Sequence, residues 1–89
     1  MDNRQLLLIC RSLTYAQRSA RALERKGVTA AVARAPKEAS QRGCAYCVIV
    51  SGKNGKRALD ILRRAELPPE RTMVREPDGA LREADDDLS

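Results

Sequence analysis

The stretch Gln5–Cys10, QLLLIC, is apolar on both faces that a strand would present: Leu6, Leu8 and Cys10 on one side, Leu7 and Ile9 on the other. Successive strand residues point to opposite sides. This pattern predicts a central strand with a neighbour along each edge and cover above and below. The chain has 89 residues, so those neighbours come from one small domain, short of the commonest size of about 100–150 residues. There is no Trp and no Phe, and Tyr15 and Tyr46 are the only aromatic residues. The core must be assembled from Leu, Ile, Val and Ala, each large aliphatic chain contributing about 1.5–3 kcal/mol when buried. Stability is therefore expected to be marginal, and association would add to it.

The remaining elements follow from periodicity. Ser12 is a helix cap, because its hydroxyl can accept from a free first-turn amide. Leu13, Ala16, Ala20 and Leu23 then fall on one helical face, with Arg18, Arg21 and Arg25 mostly away from it. Gly27 suits the left-handed end of that helix. Residues 28–35 read as a second strand, stopped by Pro36, and residues 37–43 as a polar loop. Residues 44–51 read as a third strand and residues 51–55 as a turn in which Ser51 or Asn54 can cap the next helix. That helix has Ala58, Ile61, Leu62 and Ala65 on its apolar face and ends by Pro68-Pro69. Residues 71–75 form a fourth strand. Pro77-Asp78-Gly79 is a turn signal, and residues 77–89 are expected to be an acidic, disordered tail behind a single domain over residues 1–76.

Strand-helix-strand-strand-helix-strand is the split βαβ, ferredoxin-like order of an α+β fold. Two right-handed crossovers give an antiparallel four-stranded sheet, ordered four-one-three-two, with both helices on one face. The other face stays open, which predicts self-association as a homodimer through it.

That topology sets the end of strand one beside the start of strand three, so Cys10 and Cys44 are expected at one sheet edge. The first helix starts there too, and its free amides and dipole favour a thiolate. Arg11 and Arg42 are candidate cationic neighbours. Cys44, next to Gly43, is then the candidate reactive thiol, while Cys47, three residues further along a strand, points to the other face. Cys10 and Cys47 read as core filler before they read as chemistry, since Cys is among the most buried residue types. Three Cys and no His fall short of the four ligands of a structural zinc site, so no metal is expected.

Charge is divided along the chain. Residues 1–77 hold sixteen Lys and Arg against seven acids, and residues 78–89 hold one Arg against five acids. A basic body attracts anionic partners or simply solvates its helix faces. Gly52-Lys53-Asn54-Gly55-Lys56-Arg57 departs from a phosphate loop, which needs Ser or Thr after its Lys. No interleaving of aromatic and basic residues suits it to stacking on single strands, so nucleic acid is not the favoured partner. The apolar run at Leu6–Cys10 is too short for a signal-peptide core or a membrane span. The expectation is a cytoplasmic chain with reduced thiols.

The stretch Ala35-Pro36-Lys37-Glu38 with Ser40, followed by Gly43-Cys44 and an apolar strand, resembles a family of small bacterial selenium/sulfur carrier-like proteins. The resemblance covers roughly residues 5–76. Ala45 stands where the family has Gly after its cysteine, and Cys10 and Cys47 are extra thiols. The resemblance implies a carrier, more than a stand-alone enzyme, that holds a persulfide or selenopersulfide on Cys44. It would work without a cofactor, between a cysteine desulfurase-like donor and an acceptor protein. Cys10 or Cys47 could act as a resolving thiol by disulfide exchange, with Arg42, Gly43, Arg11 and Ser12 around the site. Two rival readings are a basic module that docks an acidic protein or nucleic acid, and a redox sensor with a Cys10–Cys44 or Cys44–Cys47 disulfide.

Overall fold

The computed structural model of the protein describes residues 3–37 and 46–84. Strand β1 (Gln5–Cys10) is followed by helix α1 (Leu13–Arg25), β2 (Ala31–Arg34), β3 (Tyr46–Ser51), α2 (Gly55–Arg64), β4 (Arg71–Arg75) and β5 (Leu81–Glu83). The sheet is ordered β2-β3-β1-β4-β5 and every pair is antiparallel. The doubly apolar strand is thus central, paired with β3 on one edge and β4 on the other. Leu6, Leu8 and Cys10 pack with Val48, Val50 and Val74 against Ala16, Ala20 and Leu23 of α1 and Ala58, Leu59 and Leu62 of α2. Both helices therefore cover one face.

The ferredoxin-like order holds, but the sheet has five strands, not the expected four. Glu76 to Ala80 turn the chain back: Gly79 takes a left-handed φ of 94°, and the Glu76 amide donates to the Ala80 carbonyl at 2.8 Å. Leu81–Glu83 then pairs with β4. Arg71 pairs with Glu83, and Arg82 Nε lies 2.9 Å from Glu76 Oε1, so two ion pairs pin the hairpin. A strand of three residues carries too little periodicity to stand out in an acidic stretch. The expectation of disorder for residues 85–89 lies outside the described residues.

Several boundaries also move. The second strand covers only Ala31–Arg34, because Val28 closes α1 instead of entering the sheet. Its amide donates to Leu23 O, while Gly27, at φ 84°, donates to Glu24 O. These are the two bonds of a Schellman end. Leu13, the first residue of α1, is 41% exposed instead of buried, and Ser19 takes a place in the core. In α2, Leu59 is buried where Ala65 was expected, because the helix stops at Arg64 and leaves Ala65 outside. Asn54 occupies the α2 cap position without a side-chain capping bond.

The second face of the sheet carries its own cluster. Leu7, Ile9, Cys47 and Met73 are buried there, with Ala33, Ala35, Ile49 and Leu81 packed partly against them. Leu13, on the helix side, is the exposed large hydrophobic among the described residues. Among the described residues, Ile49 and Leu81 are partly buried on this face; pairing of two copies through it stays an expectation from the sequence.

Candidate functional site

The site expected from the sequence lies where β1 ends, α1 begins and β3 enters. In the register of β1 and β3, Cys10 is opposite Tyr46 and Ile9 opposite Cys47. Ser12 sits between β1 and α1 in an extended conformation, and its Oγ accepts from the Tyr15 amide at 3.1 Å. The predicted cap is therefore present. Arg11 is exposed and turned toward its own surroundings. Its guanidinium lies 5.2 Å from the Tyr15 ring centre, and its Nε is 3.9 Å from Glu70 Oε1. The Tyr15 hydroxyl in turn donates to Pro68 O at 2.7 Å. Together these contacts tie the start of α1 to the loop that enters β4.

Cys10 is 1% exposed and faces the helices. Its thiol donates to Leu8 O at 3.4 Å. Burial pushes the thiol up to about 11, with the Ser19 hydroxyl pulling the other way and the charges of Cys47 and Glu70 adding to the rise. Proximity to a helix start was expected to favour thiolate at this edge. For Cys10 desolvation wins, because the side chain points under the helix instead of toward its free amides. Cys47 is fully buried on the opposite face, with its thiol directed at Arg34 O at 3.9 Å. Burial raises it too, against a lowering by Arg75. Both are free thiols. They occupy adjacent rungs of one ladder but different faces of the sheet, so the sheet itself separates the sulfurs.

Cys44, Gly43 and Arg42 lie outside the described residues, as does the first part of the predicted third strand. Among the described residues no cluster of His, Cys, Asp or Glu could hold a metal ion, and no helix is long and apolar enough to cross a membrane. The Gly-rich turn before α2 is a short 3₁₀ turn, Gly52–Asn54, whose Gly52 amide donates to Arg4 O at 2.8 Å. That amide is therefore not free for an anion.

Two features escaped the sequence reading. Ser19 is the buried polar residue among the described ones, and its hydroxyl donates to Tyr15 O at 2.9 Å. Its spacing of three from Ala16 and four from Leu23 placed it on the core face, but its polarity hid it. Glu70, whose amide donates to Ile9 O at 2.8 Å, holds Arg11 and bears on Cys10, a role visible only once β4 is beside β1.

The chain matches, over residues 5–73, the model of the family described as "Putative Se/S carrier protein-like". The match covers well over half of the sequence, and the chain belongs to that family. Comparison with curated proteins and with solved structures gives no match.

Proposed function

We propose that this family member carries sulfur or selenium as a persulfide or selenopersulfide on Cys44, between a donor protein and an acceptor protein. The observation that carries the reading is the state of the other two thiols. Cys10 and Cys47 are both buried and both hard to ionise, and the thiolate is the form that accepts sulfur. In a family described as carriers, that leaves Cys44, two residues before Tyr46 and next to Gly43.

Loading needs no oxidant. The Cys44 thiolate attacks the outer sulfur of a donor persulfide, the donor S–S bond breaks, and the donor leaves as thiolate. Delivery reverses the roles: an acceptor nucleophile attacks the outer sulfur or selenium, and Cys44 leaves as thiolate. Arg42 and Gly43 stay in this proposal as neighbours of Cys44. Ser12 and Arg11 act at one remove, by fixing the start of α1. Cys10 or Cys47 could serve as a resolving thiol only after local opening exposed it. Such a carrier works under the reducing conditions of the cytoplasm.

The test is to incubate the protein with a cysteine desulfurase and cysteine and read intact mass and site. One sulfur atom is expected on Cys44, lost in Cys44→Ser and retained in Cys10→Ala and Cys47→Ala. Failure to load the wild type from an active donor, or an adduct that survives Cys44→Ser, overturns the reading.

A further inference from the structure

On the side of α1 away from the sheet, Arg18, Arg21 and Arg25 line a groove of about 290 Å³ with Ala22, Ala65 and Leu67. The first four belong to α1, and the last two follow the end of α2. Among the described residues, none of the three arginines has an ion-pair or hydrogen-bond partner, although Arg11, Arg64, Arg71 and Arg82 each have a carboxylate. Their spacings of three and four residues stack like charges on successive turns, which destabilises a helix. An anionic partner would relieve that repulsion.

We infer that this groove docks an acidic helical segment of another protein. Arg18, Arg21 and Arg25 rise along the α1 axis in steps of about 4.5 and 6 Å. Carboxylates at the same three- and four-residue spacings on a partner helix rise by the same steps, so two such helices laid side by side meet charge to charge. Guanidinium groups suit carboxylates through their paired donors. The floor discriminates among anions. Ala22 and Ala65 are small enough to admit a second backbone, and Leu67 offers apolar contact to one aliphatic side chain. A phosphate backbone has no use for that floor. The groove also has no aromatic lining on which bases could stack. The inference does not rest on the carrier reading, because the groove is built from none of the thiols.

The probe is a labelled, alanine-based helical peptide with Glu on three successive turns at these spacings and one Leu beside them. Binding to the full chain is read by fluorescence anisotropy at low ionic strength. Saturable binding is expected, and it should fall about tenfold or more in Arg18→Glu/Arg21→Glu. Lys53→Glu/Lys56→Glu makes the same change in net charge away from the groove and should leave affinity within about twofold. All four side chains are exposed, so these variants are expected to fold, and circular dichroism checks that they do. Amide shifts of Ala22, Ala65 and Leu67 should move on titration. Equal weakening by the two double variants, or unmoved floor amides, overturns the inference. So does a short oligonucleotide that binds more tightly than the peptide through the same arginines.

Discussion

Cys10 offers a measurement in which the fold opposes ordinary thiol chemistry. Burial raises it from 9.0 to about 11. Two pH units mean about a hundredfold less thiolate than an ordinary thiol well below pH 9, and reagent must also reach a side chain that is 1% exposed. Alkylation of Cys10 in the native protein should therefore run at least about a hundredfold slower than in denaturant. Site-resolved mass spectrometry gives both rates from one time course. The same shift is a statement about stability. Unfolded, the thiol releases its proton near 9.0; folded, it keeps it to about 11. Between those values the native state binds more protons, so unfolding free energy falls as pH rises. The contribution is whole below pH 9 and lost by about pH 11, an amount on the order of 3 kcal/mol. Urea melts across that window should show the loss in the wild type. Cys10→Ala should lack this component while retaining the one that buried Cys47 contributes. Native labelling of Cys10 within about tenfold of its denatured rate, or equal pH slopes in the two proteins, would refute the reasoning.

Two further predictions concern the scaffold. Glu66 closes α2 at a left-handed φ of 61°, with its amide on Arg63 O and that of Leu67 on Leu62 O; non-glycine residues pay about 1–3 kcal/mol there. Glu66→Gly should raise the melting temperature by about 4–8 °C per kcal/mol recovered, and an unchanged or lower melt would show that the strain is absent. Glu83→Gln removes the carboxylate that Arg71 holds across the β4–β5 pair and should cost up to about 1 kcal/mol. Hydrogen exchange at the Ala84 amide, bonded to Thr72 O at 3.1 Å, should speed up with it; unchanged protection would mean that the pair does not hold the strand.

Much of this fold was legible because β1 is unambiguous. A strand apolar on both sides must be central, and the element order then admits few topologies. Arg71–Arg75 was equally readable, as a short stretch lying between Pro69 and Pro77. What stayed hidden depended on register. Leu81–Glu83 becomes a strand because Arg71 meets Glu83 and Glu76 meets Arg82, pairings invisible until the hairpin is closed. The same holds at the thiols. Sequence placed Cys10 near a helix start, where a low pKa is the natural expectation. Only the packing of Ala16, Ser19 and Ala20 over the β1 face shows that the side chain lies beneath the helix. The arginine spacing on α1 was plain in the sequence, but the groove was not, because Ala65 and Leu67, which complete its lining, come from beyond the end of α2.

The burial of Cys10 and Cys47 acquires a purpose if Cys44 carries the cargo. A persulfide can react with a neighbouring thiolate at its inner sulfur. The two cysteines then join as a disulfide, and the outer sulfur leaves as hydrosulfide, lost to the acceptor. A carrier with three open thiols would discharge itself. Here one extra thiol lies under the helices and the other within the opposite face, and burial disfavours the thiolate of both. Their sulfurs are also held apart by the sheet between them, so they cannot pair with each other without rebuilding β1 and β3. The central strand pair that forms the core thus also withholds the two thiols best placed by sequence to compete with Cys44. On this view the extra cysteines are tolerated because they are sealed, and any change that opens either face should convert a carrier into a protein that oxidises itself as it delivers.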